Sequence, residues 1–302
     1  MKPETSIHEI SLPLDERNLA HVLSAITLAG IAESLDPLHP SSRCWWEEFG
    51  FKLLLPRTKA QLFDEAHDFV KSIAWVEGIG SNEKREVKAS PHHGLFTAKG
   101  GRSGNPLLSY HDQGITSSVF KTFSGQQSPA TPLQRQQDPK NLKPPKETSD
   151  WLFQRGFGVA SWKFDCRVAS HAYDQGFGSN EDQSGGRDPF YPAIELLSIA
   201  GAAFFAGPQA WLFHAESLGY CIWQELVPLS LAALAATPVP PSPTKRAKAT
   251  AKAPPAHYEP ASLLDGIGCR YYLLATRGNA YGKGAAYRHF PEATFINPST
   301  IH

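Results

Sequence analysis

The stretch KFDCRVASHAYDQGFGSNEDQSGGRDPFYPAIELL, Lys163 to Leu197, decides how the rest of the chain is read. It opens as a strand-like piece, crosses a polar loop rich in glycine, and enters an apolar helix at Pro192. Proline is favoured at a first helical position because its missing N–H would have had no partner there. A second stretch, VFKTFSGQQSP (Val119 to Pro129), is a companion: a basic strand that runs into a loop of small polar residues. Both carry glycines that allow close backbone approach, amides that suit base edges, and cations that suit phosphate. Neither contains a recognisable catalytic set.

The 302 residues suffice for one large domain or two small ones, and a hydrophobic share of 41% supports a sizeable core. Lys+Arg and Asp+Glu both number 29, and that balance hides segregation. Residues 1–80 hold 7 basic and 12 acidic side chains, and residues 81–148 hold 10 and 5. Residues 149–236 hold 4 and 9, and residues 237–302 hold 8 and 3. Basic blocks in weakly apolar sequence rich in glycine and proline point to a surface that faces a polyanion. The plainer alternative is that structured parts are acidic and loops basic.

Cys44, Cys166, Cys221 and Cys269 lie far apart, with no CxxC or CxxH spacing. That argues against a zinc site and a dense disulfide framework, and for free buried thiols in a reducing, cytoplasmic setting. The N-terminus lacks a signal pattern. The most apolar run, Ile194 to Ala206, is broken by Gly201 and too short to span a bilayer. No membrane contact, metal or cofactor is expected.

Along the chain, Ile7–Leu14 alternates as a half-buried strand does. Leu19, Val22, Leu23, Ile26, Ile31 and Leu35 keep helical spacing, with Asp15 or Asn18 as the cap. The small residues Ala25, Ala29, Gly30 and Ala32 suggest that this helix packs closely on a sheet. Cys44–Pro56 reads as one or two strands, with a hairpin about Gly50. Its Trp45 and Trp46 fit a core better than a base-stacking platform. A helix is expected over Thr58–Val76 with Thr58 as cap. Beyond Gly78 the periodicity fades, and Lys99 to Asn105 form a basic turn rich in glycine. Glu195, within the apolar helix, is either solvated or the partner of a buried cation. Strands are expected at Gly219–Leu226 and Ile267–Ala275, with a short alanine-rich helix after Pro228.

The expected fold class is α+β, with mixed or antiparallel sheets, packed helices and long basic loops. An N-terminal α/β region covers 1–130 and an exposed linker covers 131–148. A central region, 149–236, contains a helix over 192–206. A disordered basic linker covers 237–260, and a C-terminal β region covers 261–302. No GxSxG, HExxH, Walker or dinucleotide motif is present, so no nucleophile, base or metal ligand is assigned. The candidate nucleic-acid contacts are Lys99, Arg102, Asn105, Lys121, Ser124, Gly125, Gln126, Gln127, Lys163, Arg167, Asn180, Arg277, Asn279 and Lys283.

Three pieces resemble one family. VFKTFSGQQSP is similar to its K-T-W-x-G-x-Q segment. KFDCRVASHAYDQGFGSNED is similar to its F-D-x-R-x-A-x-x-A-x-D-x-G-F-S-x-N-E segment, and FYPAIELLSIAG to its Y-P-A-x-E-L-L-A-x-x-G segment. The opening DERNLAHVLSAITLAGIAESL fits the family's start, an N-P-G followed by a G-L-L-E-L-A helix. The family is the compact signature subunit of type I-G (formerly I-U) CRISPR–Cas loci, akin to the large subunits of Cascade. Leu19-Ala20 replaces its Pro-Gly, Phe123-Ser124 its Trp-Ala, and Gly178 its Ser. The family's Gln-x-Phe-x-Pro is missing after Gly201, although Pro208-Gln209 lies nearby.

The resemblance implies a non-catalytic subunit that binds crRNA and target double-stranded DNA and reads a protospacer-adjacent motif. Its partners would be Cas5-type and Cas7-type subunits and a recruited helicase-nuclease. Two alternatives stay open: a structural subunit that coats crRNA, and a crRNA-processing ribonuclease using His92, His93 or His111 as general acid or base.

Overall fold

The computed structural model describes residues 6–48, 50–77, 94–98, 106–109, 130–147, 150–156, 165, 190–205, 217–237, 267, 269–276 and 294–296. Its elements are helices and antiparallel sheets, an α+β arrangement. Strand β1 (His8–Leu12) leads to helix α1 (Leu19–Leu35), then the hairpin of β2 (Arg43–Glu47) and β3 (Gly50–Leu55), then helix α2 (Lys59–Ser72). Next come β4 (Ala74–Glu77), β5 (Gly94–Thr97), β6 (Pro106–Ser109) and α3 (Ala130–Gln136). Helix α4 (Pro192–Phe205), β7 (Ser217–Trp223), β8 (Val227–Pro228), α5 (Ala232–Ala236), β9 (Cys269–Thr276) and β10 (Thr294–Ile296) complete the order.

Among the described residues three sheets form, in the orders β1-β3-β2-β8, β10-β9-β7 and β4-β5-β6. The alternation in the first strand works as expected, since Ile10 and Leu12 are buried while Glu9 and Ser11 are exposed. The β2–β3 hairpin closes at Gly50, whose φ is +147°. Only glycine tolerates that angle readily, and a Cβ there would overlap the carbonyl oxygen of Leu12. Trp46, Phe51 and Trp223 pack as a trio with ring centroids 5.1, 6.0 and 6.4 Å apart. Trp223 Nε1 donates to the Cys44 carbonyl at 3.1 Å and so joins β7 to β2. Trp46 is therefore core, and Trp45 packs half-buried against it. Cys44 and Cys221 are buried and outside any disulfide, and burial pushes the Cys44 thiol up.

Helix α1 is apolar on every side and buried nearly all round, the signature of a central helix. Its small residues do not serve mainly to approach a sheet, as the sequence suggests. Its principal neighbour is helix α4. Gly201 of α4 lies so close that a Cβ would overlap the Leu23 carbonyl group, standing 2.7 Å from its carbon. Close helix contact through a small residue leaves room for hydroxyls to bridge. Ser24 Oγ donates to the Ile194 carbonyl at 3.0 Å, and Thr27 Oγ1 lies 2.9 Å from the Leu197 carbonyl. Ser198 Oγ lies 2.9 Å from the Ala20 carbonyl.

Two further expectations are corrected. The helix after Thr58 ends at Ser72, and Ala74–Glu77 is strand rather than helix. Ile73 already has extended backbone, with ψ 129°. The stretch 131–147 is exposed at most of its residues, yet it is anchored to the core rather than free of it. Leu133, Gln136 and Leu142 in it are buried, and Gln137 Nε2 reaches the carbonyls of Val70 and Ile73, each at 2.8 Å. That amide satisfies carbonyls which the end of α2 leaves without helical partners. The linker 237–260 lies outside the described residues except for Thr237.

Candidate functional site

Asn18 caps α1, and its side chain works at both ends. The carboxamide oxygen accepts from the Ala20 N–H at 3.1 Å, and Nδ2 donates to Asp165 Oδ1 at 2.8 Å. Helix starts favour such oxygen acceptors because their first N–H groups lack intrahelical partners. One turn on, the Asp15 backbone N–H donates to His21 Nδ1 at 2.7 Å. A ring nitrogen that accepts carries no proton, so the imidazole proton sits on Nε2. Nε2 lies 3.9 Å from Asp165 Oδ2. The carboxylate is thus held beside the positive end of α1, where negative charge is stabilised.

The approach to this helix start is lined by other fixed groups. Phe153 lies edge-on to His21 with centroids 5.6 Å apart, and its ring meets Tyr191 at 6.0 Å. The Gly156 N–H donates to the Phe190 carbonyl at 2.8 Å, which ties residues 150–156 to the start of α4. Tyr220 Oη donates to the Glu16 carbonyl at 3.1 Å. Burial, then the neighbouring Asp15, pushes the Glu16 carboxyl up, and Arg17 partly offsets this.

Chemically this is a histidine–carboxylate pair, but it is sealed: His21 is 1% exposed and Asp165 0%. A general base must reach its substrate proton directly or through one water. In this arrangement the pair joins chain segments rather than facing a reactant. Glu195 is also fully buried, which removes the solvated alternative for it.

The fourteen residues nominated from sequence, Lys99, Arg102, Asn105, Lys121, Ser124, Gly125, Gln126, Gln127, Lys163, Arg167, Asn180, Arg277, Asn279 and Lys283, lie outside the described residues. So do His92, His93 and His111. The residues that the structure does join are ones the sequence valued for other reasons or passed over. Asn18 was legible as a cap, and Asp165 as part of a quoted motif, but their contact across the chain was not. His21 carried no signal beyond its place in an apolar helix. Among the described residues no three His, Cys, Asp or Glu side chains are placed to hold a metal ion. No described helix is long and apolar enough to cross a membrane.

No family model, no curated protein and no solved structure matches the chain.

Proposed function

We propose that the protein is a non-catalytic subunit of a type I CRISPR RNA-guided surveillance complex in the cytoplasm. It binds crRNA and target DNA and reads the protospacer-adjacent motif, beside Cas5-type and Cas7-type subunits. One observation supports this reading above the rest. Residues from three of the segments that resemble the family meet at helix α1, where Asp165 bonds to Asn18 at its start and the helix from Pro192 packs along it. Segments similar to one family's motifs are thereby parts of one scaffold, as members of that family would require. Asp165 also stands two residues from both Lys163 and Arg167 in the chain, which are nominated for nucleic-acid contact. The His21–Asp165 pair offers no competing catalytic reading, because neither side chain reaches solvent.

The test is assembly of the complex with its guide RNA, followed by duplex binding against matched and mismatched adjacent motifs. Gln126→Ala, Gln127→Ala and Asn180→Ala should weaken discrimination by about 1–3 kcal/mol for each true base contact. Lys121→Ala and Arg102→Ala should weaken all duplexes alike. Failure of the chain to co-purify with guide RNA would sink the reading. Multiple copies per complex would favour the crRNA-coating subunit, and RNA cleavage lost with His92, His93 or His111 would favour the ribonuclease.

A further inference from the structure

Among the described residues some cations are engaged and others are not. Arg17, Lys52 and Arg57 are engaged in ion pairs, and the Lys59 ammonium sits 5.2 Å from the Phe63 ring centroid. Lys71, Lys140, Lys143, Lys146 and Arg155 are exposed, and their side chains make no ion pair, hydrogen bond or ring contact. Specific bonds hold the segments that carry these five against one another. The Gln137 amide lies 3.3 Å from the Lys71 carbonyl and pins the lysine-bearing segment to the end of α2. Leu133 and Leu142 anchor that segment in the core. The Lys143 N–H donates to Gln154 Oε1 at 3.1 Å, which brings Arg155, the next residue, alongside.

The acids of the same stretch, Asp138, Glu147 and Asp150, form no ion pair with the set. Asp138 Oδ1 is taken by the Lys140 backbone N–H at 2.9 Å. Glu147 and Asp150 are exposed.

We propose that Lys71, Lys140, Lys143, Lys146 and Arg155 form a strip that binds the phosphodiester backbone of a nucleic acid. It adds a second contact surface to the function proposed above and rests on that reading. Lys140, Lys143 and Lys146 recur every third residue, so neighbours along the chain are at most about 10 Å apart. That matches about three phosphates at 3.4 Å of axis each on one DNA strand. Four of the five are lysines, which hold phosphate as point charges and carry no acceptor for reading base edges. The strip therefore grips without selecting sequence. Because the segment is anchored at Gln137, Leu133, Leu142 and Gln154, its cations are held in place before a ligand arrives. The ordering entropy that a disordered basic tail must lose on binding is correspondingly reduced.

The test uses the full chain with Lys140→Gln, Lys143→Gln and Lys146→Gln combined. Binding of a single-stranded RNA and of a duplex DNA is followed by fluorescence anisotropy from about 50 to 200 mM salt. The slope of log K against log salt should become shallower by about 0.7 per lost phosphate on the single strand and about 0.9 on the duplex. The melting temperature should not move, since these side chains make no bonds. Whichever polymer loses more of its slope identifies guide or target as the ligand. Arg17→Gln, which removes a paired cation, should leave both slopes unchanged. If the triple variant binds as the wild type does, the strip is wrong and the functional reading survives. If the wild-type chain binds neither polymer at low salt, both fall. Should polyglutamate bind the wild type as tightly as either nucleic acid and be lost in the triple variant, the strip serves an acidic protein and the proposal is overturned.

Discussion

The α1–α4 joint and the 130–155 surface are both rich in polar side chains, and they treat them in opposite ways. In the joint, Asn18, Ser24, Thr27, Asp165 and Ser198 are sealed from water and bonded to groups of the other segments. On the surface, Lys140, Lys143, Lys146 and Arg155 reach into water and their side chains make no bond. A buried polar group without a partner costs stability, so polar groups inside a fold are committed to each other. An exposed cation has no such commitment. The difference separates what the fold has already used from what it leaves for a partner.

The sharpest way to break this contrast is to open the joint. Gly201→Leu places a branched side chain where even a Cβ overlaps the Leu23 backbone. Overpacking of this kind costs typically about 1–3 kcal/mol and more when backbone must shift. We expect the variant at or beyond the top of that range, read as a lowered urea midpoint. A midpoint equal to the wild type would show that α1 and α4 do not pack this closely.

A smaller effect should follow at Asn18. Asn18→Ala removes a helix cap, worth about 1 kcal/mol. It also removes one bond to the buried Asp165 carboxylate, worth about 1.5–3 kcal/mol more. Asn18→Asp keeps a capping oxygen but sets a carboxylate against Asp165, so it should rescue little at neutral pH. Thermal melts of the two variants decide this: if Asn18→Asp matches the wild type, Asp165 is not held by this bond.

Next in size is Gln137→Ala, which strips the amide from the end of α2 at a cost of about 1 kcal/mol. It sharpens the comparison because it also loosens the basic surface without removing a charge. We expect weaker nucleic-acid binding at low salt with an unchanged salt slope, whereas loss of lysines changes the slope itself.

The smallest effect is at the rim. Arg57 Nε and an Nη atom bond to Asp36 at 2.7 and 3.1 Å, and chiefly this contact holds the Asp36 carboxyl below its ordinary 3.8. Both side chains are partly in water, so Arg57→Ala should cost under about 1 kcal/mol at pH 7. A depressed carboxylate contributes stability above its unfolded value and loses it as pH falls through the folded one. The wild type and variant should therefore converge in melting temperature below pH 3.8. A gap that widens in acid would contradict the pair's role.

What the sequence made legible is what short-range chemistry decides. Asn18 and Thr58 stand as caps, Pro192 opens α4, and Gly50 closes a hairpin, each because one residue type suits one local backbone state. What it left illegible depends on partners far along the chain. The composition of 131–148, rich in proline, glutamine and lysine, reads as linker, yet Leu133 and Leu142 suffice to seat it once α2 supplies a surface. The small residues of α1 announce close packing without saying whether the neighbour is a helix or a sheet. Trp75 and Val76 continue the spacing of α2, and only the extended backbone at Ile73 ends it. The candidate site divides in the same way. Asp165 was visible as a motif position, but nothing in the order of residues tied it to Asn18, 147 positions earlier.

The hydroxyl bridges between α1 and α4 span 170 residues of chain. At synthesis rates of about 5–20 residues per second, α1 waits on the order of ten to thirty seconds for α4 to be made. During that interval the face of α1 that α4 will cover has no partner. Closing so long a loop also delays the contact, because its entropy is lost before the contact repays it. The newborn chain is therefore most prone to aggregate between the emergence of these two helices, and conditions that slow translation through that interval should lower the soluble yield before they touch the stability of the finished protein.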